Sequence, residues 1–353
     1  MIPYKLLDWI DINKLDWKQL SLNPNAIQLL EQNLDKVDWK LLSINDNAIH
    51  LLEKNLDKID WYSLSQNPNA IHILKKNQDK INWEWLSTNE NAINILEKNQ
   101  DESLRDGSVC KINWENLSLN PNAIHLLEKN LDKIDWYYLS HNINAINLLA
   151  SNQSKINWYG LSGNKNAIDL LATNQDKIRW DYLSGNKNAI DLLENNLDKV
   201  NWSSLSLNPN AINILKQNIT KINWVYLAEN PNAISIMEKK QDKIDWSGLS
   251  KNRNAIHLIE KHLDQPLYGS SDYEARKINW HGLSRNPNAI DLLKKNRDKI
   301  IWCYLSINPN IFTYDYERMK QQQNIFKEEL IQKVLHPNRI QLWIDSGMDI
   351  DDM

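Results

Sequence analysis

Thirteen of the sixteen tryptophans in this chain keep a fixed step. Trp17, Trp39, Trp61 and Trp83 are 22 residues apart, and Trp136, Trp158, Trp180, Trp202, Trp224 and Trp246 continue the step begun at Trp114. Trp280 and Trp302 close the series. Two longer steps, after Trp83 and after Trp246, hold insertions at 102–110 and 265–276. A period this strict over most of 353 residues marks a repeat array, in which each unit packs mainly on its neighbours. Repeat 1 opens at Trp17 and repeat 13 at Trp302.

The unit reads as two helices. Its clearest copy runs from Trp61 to Asn82. Leu stands three residues after Trp in all thirteen copies, and Asn six and eight after it. Asp60 before Trp61 is N-cap chemistry, since a short side-chain oxygen accepts from an orphan helical N–H. This predicts a short first helix over 61–65. Asn67 followed by Pro68 predicts a second start, because proline at the first helical position loses no hydrogen bond. Ala70, Ile71, Ile73 and Leu74 give that helix its apolar face. Asn77 is expected to end it in the left-handed conformation. Asp79-Lys80 then turns, and Ile81 returns to the core.

One unit exposes too much apolar surface to fold alone, so units must stack. The indole is the expected wedge of each layer, reaching its neighbour's indole. Stacking also sets the invariant asparagines in columns, where one side chain both donates and accepts. Both insertions enter at the same junction of the unit, which marks that junction as a loop. A leucine-rich horseshoe is the alternative fold, but the unit lacks a β-branched run of period two. The expected fold is therefore all-α: an elongated α-solenoid of 22-residue helix-turn-helix repeats. A helical N-terminal cap would be 1–16, the repeats 17–311 and a C-terminal helical cap 312–353, with one longer helix over Tyr314–Leu335.

Only two cysteines, Cys110 and Cys303, are present, which excludes a disulfide framework and fits a reducing compartment. The start, Met1-Ile2-Pro3-Tyr4-Lys5, lacks the apolar core of a signal peptide, and no apolar run is long enough to span a bilayer. A cytoplasmic location is the expectation. The 41 Lys and Arg against 45 Asp and Glu, net −4, remove the basic footprint that nucleic acid or an anionic membrane requires.

The unit Leu-Ser-x-Asn-Pro-Asn-Ala-Ile-x-Leu-Leu-Glu-x-Asn-x-Asp-Lys-Ile-x-Trp resembles the repeat of uncharacterised proteins from giant amoebal viruses of the mimivirus and megavirus group. The ending Tyr314-Asp-Tyr316 … His336-Pro337 … Asp345-Ser-Gly347 is similar to theirs as well. The resemblance implies a viral protein made in a host cytoplasm, present there or in the virion, and transfers no activity.

No catalytic or metal motif stands out. His50, His72, His125 and His257 share one slot, but adjacent layers lie about 10 Å apart, too far to share a metal. Recurring carboxylates such as Glu53 and Asp57 read as a solvated face balanced by lysine. The expectation is a protein without enzymatic activity, cofactor or metal. The slots one and two places after Trp turn away from the core, yet hold Tyr62, Trp85, Tyr137, Tyr138, Tyr159, Tyr182, Tyr226 and Tyr304. Aligned exposed aromatics favour a protein interface. Tyr side chains filling gaps between layers are the bland alternative. Gly160, Gly248 and Gly282 interrupt the row. Arg105, Tyr268 and Tyr273 in the insertions are further candidates. The sequence thus predicts a scaffold or adaptor that binds host or viral proteins. A single-stranded nucleic-acid binder that stacks bases on the aromatic row is the alternative, opposed by the charge.

Overall fold

The computed structural model describes residues 2–99, 111–263, 277–334 and 336–346. They form two compact units, one of Asp11–Asn310 and one of Met1–Ile10 with Ile311–Met353. The first is an all-α repeat solenoid, as the tryptophan period predicts.

Trp61–Lys80 shows the unit in full; most other repeats follow it with a plain turn in place of one or both of its 3-10 turns. The first helix spans Trp61–Ser65, capped by Asp60, whose side chain accepts from Ser63 N–H at 2.8 Å. The Ser65 hydroxyl closes that helix by donating to Trp61 C=O at 2.7 Å. Asn67 then caps not a full helix but a 3-10 turn, Pro68–Ala70, by accepting from Asn69 N–H at 3.0 Å. The second α-helix starts later, at Ile71, and ends at Lys76. Asn77 does not take the left-handed conformation: its φ is −131°, and its side-chain amide instead donates to Ile73 C=O at 2.9 Å. The helix end is thus satisfied by a side chain instead of a backbone reversal. A second 3-10 turn, Gln78–Lys80, leads into the next repeat.

Between repeats, the asparagine six places after Trp is fully enclosed. Asn67 is 1% exposed, and its amide donates to Ser43 C=O at 3.0 Å and Asn45 C=O at 3.3 Å of the preceding repeat. The same pair of bonds recurs in every repeat, within 2.9–3.3 Å. Asn69 adds a bond to Asp46 C=O at 3.1 Å, and Asp60 N–H donates to the Ser43 hydroxyl. Asp could not replace the column residue, since its oxygens would face two carbonyls with no proton to offer. Both insertions are spanned without loss of register: Asn113 N–H still reaches Ser87 and Asn279 N–H still reaches Ser250.

The core is leucine and alanine more than tryptophan. Leu64, Ala70 and Leu74 are wholly buried, and so are their equivalents in most repeats. Most of the periodic tryptophans are only half-buried, Trp83 and Trp246 excepted. What covers the indole is the lysine of the following linker. Lys36 lies over Trp17 at 4.5 Å from the ring centroid and Lys80 over Trp61 at 4.8 Å, and the contact recurs along the array. Such a contact is worth about 0.5–1 kcal/mol at an exposed site, so it trims each layer without driving the stack.

The array is not elongated, and its two terminal repeats have no free faces to cap. Asn23 of repeat 1 donates to Ser306 C=O at 2.9 Å and Asn308 C=O at 3.0 Å of repeat 13. Asn25 donates to Pro309 C=O, and Asp16 N–H to the Ser306 hydroxyl. Lys14 lies over Trp302 at 5.2 Å. The asparagine bonds are those every repeat makes to the one before it, so repeat 13 stands before repeat 1 and the circuit closes. Residues 11–16, expected in the N-terminal cap, are the linker of repeat 13. Their 3-10 turn Ile12–Lys14, buried Leu15 and capping Asp16 repeat the form of Leu34–Asp38.

The second unit also differs from a helical N-terminal cap. Tyr4–Leu6 is a strand, antiparallel to Phe312–Tyr314, with Tyr4 opposite Tyr314 and Leu6 opposite Phe312. Leu7 N–H to Ile311 C=O and Asp315 N–H to Pro3 C=O, both 2.9 Å, extend the pairing. The C-terminal helices are Tyr316–Val334 and Pro337–Asp345.

Two outcomes follow for stability. Asn23→Leu strands the carbonyls of Ser306 and Asn308, at about 1–3 kcal/mol for each buried group left unpaired. In a closed circuit this equals the loss from Asn67→Leu; in an open one it is far smaller. Urea unfolding of both variants measures the difference. Ile301 is one of two pre-tryptophan residues that give their helix no side-chain cap. Ile301→Asn is expected to raise stability by about 1 kcal/mol, seen as a higher denaturation midpoint.

Candidate functional site

The first helices are so short that only their outer positions can vary. Leu three places after Trp faces the core, while the residues one place after Trp face outward and those two places after it range from buried, as Ser63, Gly160 and Gly248 are, to exposed. Tyr62, Tyr137, Tyr159, Tyr182, Tyr226 and Tyr304 are all exposed, between 41% and 52%. The sequence placed these six correctly as solvent-facing. Trp85 and Tyr138 are different: both are half-buried, and the Trp85 Nε1 is enclosed with no hydrogen-bond partner. They serve as packing beneath their neighbours.

The aromatics are paired more than aligned. A ring one place after Trp meets a ring two places after the next Trp, edge to face: Tyr62 on Trp85 at 5.5 Å, Tyr159 on Tyr182 at 5.5 Å and His281 on Tyr304 at 5.3 Å. This geometry follows from the quadrupoles of the rings and locks each exposed ring at one edge. The Arg179 guanidinium covers Tyr159 at 3.9 Å, so that ring offers its other face and its hydroxyl. Val225, beside Tyr226, adds an exposed apolar side chain.

The glycines that interrupt the row mark places where the previous repeat folds over. A Cβ on Gly160 would lie 2.6 Å from the His141 imidazole, which is held by Tyr137 C=O at 2.9 Å. On Gly248 it would meet Ala228, and on Gly282 the Lys251 stem, each at 3.2 Å. The surface is therefore segmented into an aromatic stretch around Tyr137, Tyr159 and Tyr182 and a second, cationic one around Tyr304. The second was missed in the sequence, where Lys251 and Arg253 of repeat 11 and Arg285 of repeat 12 sit in two unremarkable slots, five and seven places after Trp.

No group of His, Cys, Asp or Glu fit to hold a metal exists among the described residues. The histidines of the shared slot pair with glutamates of the preceding repeat: His72 with Glu53 at 2.6 Å and His125 with Glu97 at 2.7 Å. Arg105, Tyr268 and Tyr273 lie outside the described residues. Among the described residues no helix is long and apolar enough to cross a membrane. In the other compact unit, the helix Tyr316–Val334 leaves Ile325, Phe326, Leu330 and Ile331 exposed.

No family model, curated protein or solved structure matches this chain.

One titratable group is set apart by its surroundings. His262 occupies the slot that holds a helix-ending asparagine in most repeats, and it packs edge to face on the fully buried Trp246, 4.5 Å between centroids. Burial, and after it the charge of Lys261, lowers its pKa below the ordinary value. The folded state then resists the proton that the unfolded chain accepts near pH 6.5. Stability is therefore expected to fall as pH drops below about 6.5. His262→Asn should flatten this slope in thermal melts between neutral and mildly acidic pH; an unchanged slope would assign it to other groups.

Proposed function

We propose that this protein is a non-enzymatic scaffold that binds other proteins through the exposed aromatic row of its first helices. The observation that carries this reading is the set of six tyrosines, 41–52% exposed, on positions the repeat leaves free for lysine, glutamate or serine. Solvated positions without a partner have no reason to hold large amphipathic rings, whereas interfaces are enriched in them. Five of the six rings, all but Tyr226, also pack edge to face with a neighbouring ring, which lowers the entropy lost when a partner covers them. In this reading the chain is a viral protein that works on host or viral partners in the host cytoplasm or in the virion.

The test is affinity capture with the wild-type chain and with Tyr137→Ser/Tyr159→Ser/Tyr182→Ser. All three side chains are exposed, so the fold should survive, as circular dichroism would verify. Loss of specific partners at about tenfold or more is expected. Retention of every partner would overturn the aromatic row as the binding surface. A salt-sensitive gel shift with single-stranded oligonucleotide, abolished by the same substitutions, would replace the reading with nucleic-acid binding.

A further inference from the structure

We infer that the furrow across repeats 11 to 13 docks an extended acidic peptide segment of a protein partner; this rests on the protein-binding reading and names the chemistry of one of its partners. The furrow encloses about 520 Å³. A furrow of about 460 Å³ lies between repeats 5 and 6, and another of about 540 Å³ adjoins this one beside His281, so its size is not what singles it out. Its lining is. Lys251, Arg253, His281 and Arg285 face it, and no carboxylate lines it. In a chain of net charge −4, this is a local reversal of sign.

The cations come from fixed backbone. Arg253 stands between Asn252, buried in the column, and Asn254, and Asn288 of the next repeat donates to its C=O at 2.9 Å. Arg285 directly precedes the buried Asn286, whose amide donates to Ser250 C=O and Asn252 C=O. Neither guanidinium has an ion-pair partner among the described residues, while Lys251 is already held by Glu229 at 2.6 Å. Two free forks on a rigid frame match carboxylates, which accept them in bidentate fashion. Tyr304, braced by His281, and the apolar Pro287, Pro309 and Ile307 complete the wall.

The occupant is a peptide and not a small anion because the site is open. Tyr304 and the cationic side chains are all exposed, whereas small-molecule sites bury most of their ligand. The lining also spans three successive repeats, which suits an extended chain. Gly282 keeps the floor low, since a Cβ there would press on the Lys251 stem.

The experiment uses the full chain and a fluorescein-labelled hexaglutamate peptide, with hexaglutamine as the neutral control, followed by anisotropy at about 50 mM salt to limit screening. The expected result is saturable binding of hexaglutamate alone, weakened about tenfold or more by Arg253→Glu/Arg285→Glu. Lys165→Glu/Lys187→Glu, with the same change in net charge, should leave it unchanged. Equal weakening by both pairs would show diffuse attraction and overturn the site. Displacement by ATP at lower concentration than by unlabelled peptide would overturn it in favour of a nucleotide. If the charge reversal unfolds the chain, Arg253→Gln/Arg285→Gln carries the same test. Hexaglutamate that fails to bind while partners are still captured overturns the furrow and leaves the aromatic row standing. Peptide binding with no partner captured by the tyrosine row does the opposite.

Discussion

The structure depends on one buried carboxamide. The asparagine six places after each tryptophan caps the turn of its own repeat with its oxygen and ties down two carbonyls of the preceding repeat with its nitrogen. No other side chain of that length performs both tasks. Leucine and alanine supply the burial that drives stacking, but apolar contact is non-directional and would tolerate sliding. The carboxamide fixes the register of each layer against the last, because a shift would leave three buried polar groups unpaired at once. The serine hydroxyl, shared between Trp C=O and the next linker's N–H, adds a second fixed point.

Register of this kind makes closure possible. A solenoid held by apolar packing alone drifts from repeat to repeat, and its ends need not meet in phase. Here each junction is set by the same short bonds, so errors do not accumulate, and Asn23 meets Ser306 and Asn308 at the distances found elsewhere in the array. Closure has an energetic consequence. In an open array the terminal repeats bury one side only and unfold first. In a closed one every repeat has two neighbours, and opening it requires two interfaces to break together.

Much of this was legible in the residues. Asp60 before Trp61, Leu64 and Asn67-Pro68 gave the first helix and the second start, because capping is local chemistry. The late start of the second helix at Ile71 is not legible, since the segment after Asn67 is set by bonds to another repeat, from Asn67 to Ser43 and Asn45 and from Asn69 to Asp46. The role of tryptophan was misjudged for a similar reason. Its size suggested the centre of the layer, but Lys36 and its equivalents, 19 places onward, cover its face. Closure did leave a sign: Lys14-Leu15-Asp16 before Trp17 matches Lys36-Val37-Asp38 before Trp39, a linker with no repeat ahead of it. A period states what each repeat needs on either side. It does not state how many repeats turn a full circle, which depends on how closely first and second helices pack.

The division of labour within the unit explains where function is to be sought. The positions that carry the frame, Leu, Ser and the two asparagines after each tryptophan, scarcely vary among the thirteen copies. They contribute to every junction, so a change at any of them is felt on two sides. The residues one, two, five and seven places after Trp touch solvent or a single neighbour and are free to differ. Chemistry that differs from copy to copy must therefore reside there. The aromatic stretch at Tyr137, Tyr159 and Tyr182 and the cationic furrow at Arg253 and Arg285 occupy those slots and no others. A frame that is the same in every layer turns the variable slots into an address along the array. Two surfaces of different chemistry can then sit several repeats apart without either one disturbing the fold that presents it.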